Sequence, residues 1–299
     1  MDDVDVELLE TSPGVGPALL RGAVTGAGRP GARGTLPRRR LVLTGVEQEV
    51  RALADFCEVT GGLLGDVLPA TWLHVQTFPL QVRLMAARDF PFPMLGMVHV
   101  ANRMRVHRPV RVDETLTLSS WAQDLAPHRK GHTVDLRGEA RVGDEVVWEG
   151  SSTYLVRSST PPDVAGGGPG TPPDTDGGGD GSTDPTRAVA TWRLPAGLGR
   201  QYARVAGDVN PIHLSALSAR TLGFPRAIAH GMWTHARALA AVQSRLPGSY
   251  EVDTRFLKPI LLPSTVVLRA ALGQGSADLA VTDREGSRRH LSMQVRALP

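Results

Sequence analysis

RFLKPILLPST (residues 255–265) and RVHRPVRVDET (residues 105–115) carry one pattern at a constant offset of 150: Arg-x-x-(Arg/Lys)-Pro, then a threonine six residues on. Each opens an alternating run, Glu114 to Trp121 and Ser264 to Leu272, of the kind that forms a half-buried antiparallel strand. Upstream, Phe56-Cys57-Glu58-Val59-Thr60-Gly61 matches Tyr202-Ala203-Arg204-Val205-Ala206-Gly207 at offset 146. Between these blocks, Pro69 and His74 match Pro225 and His230 at offset 156. The second copy therefore holds ten extra residues, which fall in GDVNPIHLSALSARTLGF (residues 207–224). Three ordered blocks with one localised insertion indicate an internal duplication. Each copy reads as an α+β unit, a helix followed by strands that turn back on one another. The patterns predict strands at Val98–Arg105, Glu114–Gln123, His132–Arg141 and Glu145–Val156, then Tyr250–Phe256, Ser264–Leu272, Asp278–Thr282 and His290–Ala297. Helices are predicted at Val46–Glu58, Thr77–Ala87, Gly197–Ala206, Ser215–Leu222 and Met232–Leu246, with Pro79 bending or delaying the second.

The composition suits such a chain. Its 299 residues are long enough for two domains with real cores, 41% of them are hydrophobic and 21% charged. Aromatic residues are only 5%, which argues against reading single-stranded nucleic acid by stacking, and duplex-binding motifs are absent. The single Cys57 excludes an internal disulfide framework and cysteine-based zinc or iron–sulfur sites. The chain opens acidic, and its most apolar stretch, Phe90 to Val98, is short and broken by Pro91 and Pro93. No membrane span or secretory signal is expected, and the default location is cytoplasmic. The net charge of +3 is uneven: residues 158–186 hold five aspartates and no basic residue, which leaves +8 on the rest. Such a surface serves solubility, and would equally suit a small anionic partner such as a nucleotide-bearing thiol cofactor or an acidic carrier protein.

Residues 159–186, STPPDVAGGGPGTPPDTDGGGDGSTDPT, contain almost no apolar side chain. Such a segment cannot bury enough surface to offset its ordering entropy, so residues 159–189 are expected to be a flexible linker. A calcium repeat is a poor alternative for one glycine–aspartate copy without a recurring apolar position. Residues 1–39, Gly-rich and ending in the basic Arg38-Arg39-Arg40 run, are expected to be poorly ordered.

Chemistry concentrates in the inserted Gly207-Asp208-Val209-Asn210-Pro211-Ile212-His213. Pro211 excludes one continuous helix, so a turn can aim the Asp208 carboxylate and the His213 imidazole at one point. A plainer reading makes Asp208 a cap, Asn210-Pro211 a turn and His213 a packed residue. No metal is expected, because one carboxylate, one amide and one imidazole are too few ligands. No Gly-x-Ser-x-Gly elbow offers a nucleophile.

YARVAGDVNPIH (202–213), GFPRAIAHGMW (223–233) and RFLKPILLPST together resemble the MaoC-like family of (R)-specific enoyl-thioester hydratases and 3-hydroxyacyl-thioester dehydratases. LPATWLHVQTFPLQVRLM (68–85) and FPFPMLGMVHVANRM (90–104) resemble the degenerate first half of its double-length members. The resemblance implies a double hot-dog fold, each unit a long helix wrapped by a curved antiparallel sheet: a degenerate unit at 40–158 and a catalytic one at 190–299. It implies that Asp208 and His213 are the catalytic pair, His213 the base toward water and Asp208 its proton-handling partner, and that no cofactor takes part. It also places Gly231 where a helix-start N–H stabilises the thioester oxygen, while close helix packing is the other reason for a glycine there. Asn210 is read as bracing the loop. The first copy lacks the Asp-x-Asn-Pro-x-His segment, so one active site per chain is expected. The substrate implied is a thioester of coenzyme A or of an acyl carrier protein, with Lys258 and Arg105 as candidate contacts to the carrier's phosphates. For these two, a strand-edge charge is the competing explanation. Thioester hydrolysis and non-catalytic acyl-thioester binding are the alternative functions, and a homodimer is an open arrangement.

Overall fold

A computed structural model describes residues 4–16, 29–31, 34–94, 96–157 and 187–299. The expected linker lies outside the described residues except at its end, where 188–189 already belong to a strand. The chain divides into two compact units.

The first unit comprises Met1–Gln48, Leu73–Asn102 and Asp113–Pro173. Its strands are β1 (Asp5–Leu9), β2 (Arg39–Val46), the greater part of β3 (Met97–Val106), β4 (Leu116–His128), β5 (Gly131–Val142) and β6 (Glu145–Arg157), in the order β1-β2-β4-β5-β6-β3. Strands β4, β5 and β6 follow as antiparallel neighbours, Leu136 facing Ala122 and Ser152. Their inner face buries Ala122, Val134, Leu136 and Tyr154 against Phe78, Val82 and Met85 of a helix running from Ala70 to Ala86.

Two expectations for this unit are corrected. Part of the segment expected to be disordered is a strand, for Asp5–Leu9 pairs with β2 in parallel, and Glu7 forms ion pairs with Arg39 and Arg83. The basic run is likewise no tail: Arg40 lies over the Trp121 ring at 4.2 Å and reaches the buried Glu139 carboxylate at 2.5 Å. The helix also starts earlier than predicted and passes through Pro79 without a break in assignment. It is buried on nearly every side, by Leu73, His74, Thr77, Leu80, Gln81 and Leu84 among others, and that tertiary burial outweighs the lost backbone bond.

The second unit comprises Glu49–Trp72, Arg103–Val112 and Asp174–Pro299. It contains α1 (Val50–Thr60), which chain order places in the first copy, and the first turn of α2, the Ala70–Ala86 helix. Its own strands are β7 (Ala188–Leu194), β8 (Tyr250–Phe256), β9 (Ser264–Gly273), β10 (Ser276–Asp283) and β11 (Arg289–Ala297), in the order β7-β9-β10-β11-β8. With β7 corresponding to β2 and β8 to β3, this repeats the order β2-β4-β5-β6-β3 of the first unit. Helices α3 (Leu198–Ala206), α4 (Pro211–Leu214), α5 (Ala216–Arg220) and α6 (Gly231–Ala240) complete it. Trp233 and Arg237 of α6 donate to the carbonyls of Val59 and Thr60 at 2.9 and 3.2 Å, which ties α1 to α6. Phe56 of α1 meets the Tyr202 ring of α3 with centroids 6.4 Å apart.

Backbone bonding fixes the register of the duplication. Gly61 and Gly207 both end helices in the left-handed conformation, at φ 66° and 73°, and they keep the offset of 146. Leu68 donates to Val110 and Val112 to Asp66; correspondingly Ala229 donates to Ile260 and Leu262 to Ala227. The downstream members keep the offset of 150, but the upstream members stand 161 apart. Pro69 therefore corresponds to His230, and Ala70, which starts α2, to Gly231, which starts α6. The insertion is fifteen residues, not ten, because matching residue types is a weaker guide to register than the bonds that hold the chain.

Candidate active site

Helix α3 is amphipathic, burying Leu198, Tyr202, Ala203 and Ala206, and it stops at Gly207, whose N–H returns to Ala203 at 2.9 Å. The next residues turn sharply. The Asp208 carboxylate accepts from the Asn210 N–H at 3.2 Å, and the Asn210 side chain caps α4 by accepting from Ile212. Pro211 occupies the first helical position, where its missing N–H costs nothing. The cap is thus Asn210, while Asp208 stands one turn earlier with its side chain partly open to solvent.

His213 is buried on α4, with Nδ1 2.8 Å from the Ile228 carbonyl. A carbonyl only accepts, so Nδ1 carries the proton and Nε2 presents its lone pair. The same turn is braced by Ile228 donating to Ile212 and by Arg200 reaching the Leu214 carbonyl at 2.8 Å. Burial pushes the His213 imidazole below its ordinary pKa, against the opposing pull of Asp208 and the bond to Ile228. The neutral form that can accept a proton is therefore favoured at neutral pH.

Three further residues, missed from sequence, complete the site. His230, the residue before α6, stacks on His213 with ring centroids 3.6 Å apart and planes 26° from parallel. Its Nε2 donates to the Asp208 carbonyl at 3.0 Å, and burial, then the neighbouring His213, holds it well below the imidazole range. The Tyr202 ring lies 4.9 Å from His230, and burial, then the Asp208 charge, pushes its hydroxyl above the usual range and keeps it protonated. Gly199 meets α4 so closely that a Cβ there would stand 1.9 Å from the His213 carbonyl oxygen. Only Gly199 carried a local signal, as a glycine inside a helical run, where it costs helix stability unless something needs the space.

Asp208, His213 and His230 offer donor atoms within 4.8 Å of one another. The stacked rings, however, direct their in-plane lone pairs side by side, whereas zinc needs them to converge at about 2.0–2.1 Å. Each ring also commits one nitrogen to a carbonyl. The set fits proton transfer better than metal ligation.

Gly231 is the first residue of α6, where helix geometry leaves N–H groups without an internal partner. A Cβ there would lie 3.0 Å from the Phe256 ring, so close packing also bears on this glycine. Asp208, His213 and Gly231 thus meet at His230, and Asn210 braces the turn that carries the first two. Lys258 is elsewhere, in the exposed turn two residues beyond Phe256, and its carbonyl accepts from His290 at 3.0 Å. Arg105, on β3, is paired with Glu251 at 2.8 Å.

A helix-wrapped antiparallel sheet repeated in one chain, with an Asp/His turn in one copy, is the architecture of a double hot-dog hydro-lyase. The chain belongs to the MaoC-like dehydratases: residues 187–289 match the MaoC like domain. It is 34% identical over 263 residues to 3-hydroxyacyl-thioester dehydratase X of Mycobacterium tuberculosis, covering 88% of this chain and 91% of that protein. The crystal structure of HtdX from M. tuberculosis superposes with a TM-score of 0.74 at 32% identity, over 87% of this chain and all of that one. A MaoC-like dehydratase from Phytophthora capsici shares the fold, with a TM-score of 0.69 at 16% identity over 92% of this chain and 97% of that one. Among the described residues no helix is long and apolar enough to cross a membrane.

Proposed function

We propose that this chain interconverts a trans-2-enoyl thioester and its (R)-3-hydroxyacyl form by adding or removing water. The observation that carries the reading is the Asp208 carboxylate and the Nε2 of a neutral, pinned His213 on one short turn. In hydration, the oxygen of water bonds to the β-carbon while one of its protons passes to His213 Nε2; the imidazolium hands that proton to the Asp208 carboxylate, which delivers it to the α-carbon. Electron density moves onto the thioester oxygen, where the Gly231 N–H at the start of α6 can receive it. Dehydration runs through the same states backwards, and in either direction the pair ends each turnover as it began, carboxylate and neutral imidazole.

The thiol carrier in this reading is anionic, coenzyme A or an acyl carrier protein. Arg200, Arg204, Arg220 and Arg226 are exposed around the catalytic turn, and among the described residues none forms an ion pair with a carboxylate. We assign Lys258 to the carrier's phosphates in preference to Arg105, because Lys258 lies in the copy that carries the Asp/His turn. A cytoplasmic setting accords with the lone cysteine, Cys57, being a buried free thiol.

The test is loss of the ultraviolet absorbance of an enoyl thioester on hydration. Asp208→Asn and His213→Ala should each slow turnover about 10²–10⁴-fold in folded protein. Near-normal turnover in either would remove that residue from the chemistry. Release of free thiol by the wild-type chain would point instead to hydrolysis.

A further inference from the structure

We propose that His230 is a positioning residue for the Asp208/His213 pair: its buried ring, stacked on His213 and bonded to the Asp208 carbonyl, keeps base and carboxylate in register with the helix start that carries Gly231. The inference rests on the dehydratase reading of that pair.

The His230 side chain touches both partners. Its stack on His213 fixes the plane in which Nδ1 reaches Ile228, and so where Nε2 points. Its Nε2–H grips the backbone of Asp208, and the same nitrogen lies 3.9 Å from the Asp208 carboxylate. Gly231 follows it directly, so one residue joins acid, base and oxyanion donor.

Packing alone does not account for this side chain. The Asp208 carbonyl demands the Nε2–H tautomer, which leaves Nδ1 a bare acceptor, and Nδ1 is buried with no hydrogen-bond partner among the described residues. An unpaired buried acceptor is costly, and an apolar ring would fill the space without it. The first copy supplies the contrast. There the residues equivalent to His230 and Gly231 are Pro69 and Ala70, in the copy that also lacks the Asp/His turn. His230 and Gly231 therefore go with the chemistry and not with the fold, since the equivalent helix α2 starts without them.

The test is steady-state hydration and its pH profile in His230→Ala and His230→Gln, beside Asp208→Asn and His213→Ala. Loss of the stack misplaces the pair by an ångström or so, and errors of that size cost about 10²-fold. His230→Ala should therefore lose about 10²-fold in kcat with KM within about threefold of wild type. Its acid limb in kcat/KM should move up toward the ordinary imidazole range, because water admitted beside His213 relieves the burial that depresses it. His230→Gln, which can still donate to the Asp208 carbonyl, should recover part of kcat. A His230→Ala enzyme with kcat within about threefold of wild type overturns the proposal. So does a loss of kcat that tracks loss of folded protein while the acid limb stays put. Should the alanine variant fail to fold, the glutamine variant decides: a lowered kcat with a raised acid limb supports the role, and wild-type values for both overturn it. If Asp208→Asn and His213→Ala also remain active, the dehydratase reading itself fails; if they are dead while His230→Ala is active, only this inference does.

Discussion

Gly199→Ala reverses the sign expected of a glycine replaced inside a helix. On propensity alone alanine should stabilise α3 by about 1 kcal/mol. The structure opposes this, because the new Cβ would stand 1.9 Å from the His213 carbonyl oxygen and 2.9 Å from its carbon. Ordinary contact begins at 3.4 Å, so α3 and α4 must part by roughly 1.5 Å. Backbone that also holds the Arg200–Leu214 bond cannot yield as a flexible side chain would. Overpacking costs about 1–3 kcal/mol, which offsets the propensity gain and leaves a net loss of up to about 2 kcal/mol. The displacement falls on His213, and an ångström there costs about 10²-fold in rate. Calorimetry should show Tm down by a few degrees, and the absorbance assay kcat down by about 10²-fold. Gly197→Ala is the internal control, since its Cβ would meet only the Arg200 guanidinium, at 3.5 Å. A Gly199→Ala enzyme with raised Tm and unchanged kcat would refute the claim that this contact sets the position of His213.

Stability should fall as pH drops below about 6.5: burial lowers the pKa of His128, His132, His213, His230 and His290, so the unfolded chain takes up protons that the folded chain refuses. Tm measured from pH 7.5 to 5 should decline, less steeply in His213→Ala, and a flat profile would contradict the burial of these rings. The acid limb of kcat/KM should lie below the ordinary imidazole pKa for the same reason. Lys258→Ala should raise KM for a coenzyme A thioester more than it lowers kcat, with the effect shrinking at high salt; an unchanged KM at low ionic strength would leave Lys258 a surface charge.

The strands of both copies were legible because each alternates on a half-buried face, and Tyr250–Phe256 matches its predicted span residue for residue. Strands β1, β2 and β7 were not. β2 opens inside a basic run and β7 leaves the end of a Gly/Pro/Asp-rich stretch, so their surroundings masked short apolar runs such as Leu41-Val42-Leu43. The extent of α2 was hidden by Pro79, whose local cost is plain in sequence while the burial that outweighs it is not. At the site, the sharing of one turn by Asp208 and His213 was legible, while their roles rested on the family resemblance. His230 and Tyr202 were not legible, because their contacts span 6 to 28 residues with no periodicity to mark them.

The corrected register explains how one scaffold gives one site. In both copies a helix ends on a left-handed glycine, and a later helix begins just after a backbone bridge to the segment beyond the Arg-x-x-(Arg/Lys)-Pro block. In the first copy that bridge is Val67 with Arg111, in the second Ile228 with Leu261. The first copy covers the distance from Gly61 to the bridge directly, through exposed Leu63 and Leu64. The second spends fifteen more residues there, enough for α4 and α5 and for a turn that returns His213 beneath the start of α6. The helix start is common to both copies, so what brings Asp208 and His213 together is the added length, closed by Asn210 at one end and by His213 on the Ile228 carbonyl at the other. Ile228 is itself a bridge residue. The proposed base, His213, is therefore bonded to the point where insertion and shared scaffold meet, which lets a local insertion reach the precision that proton transfer requires.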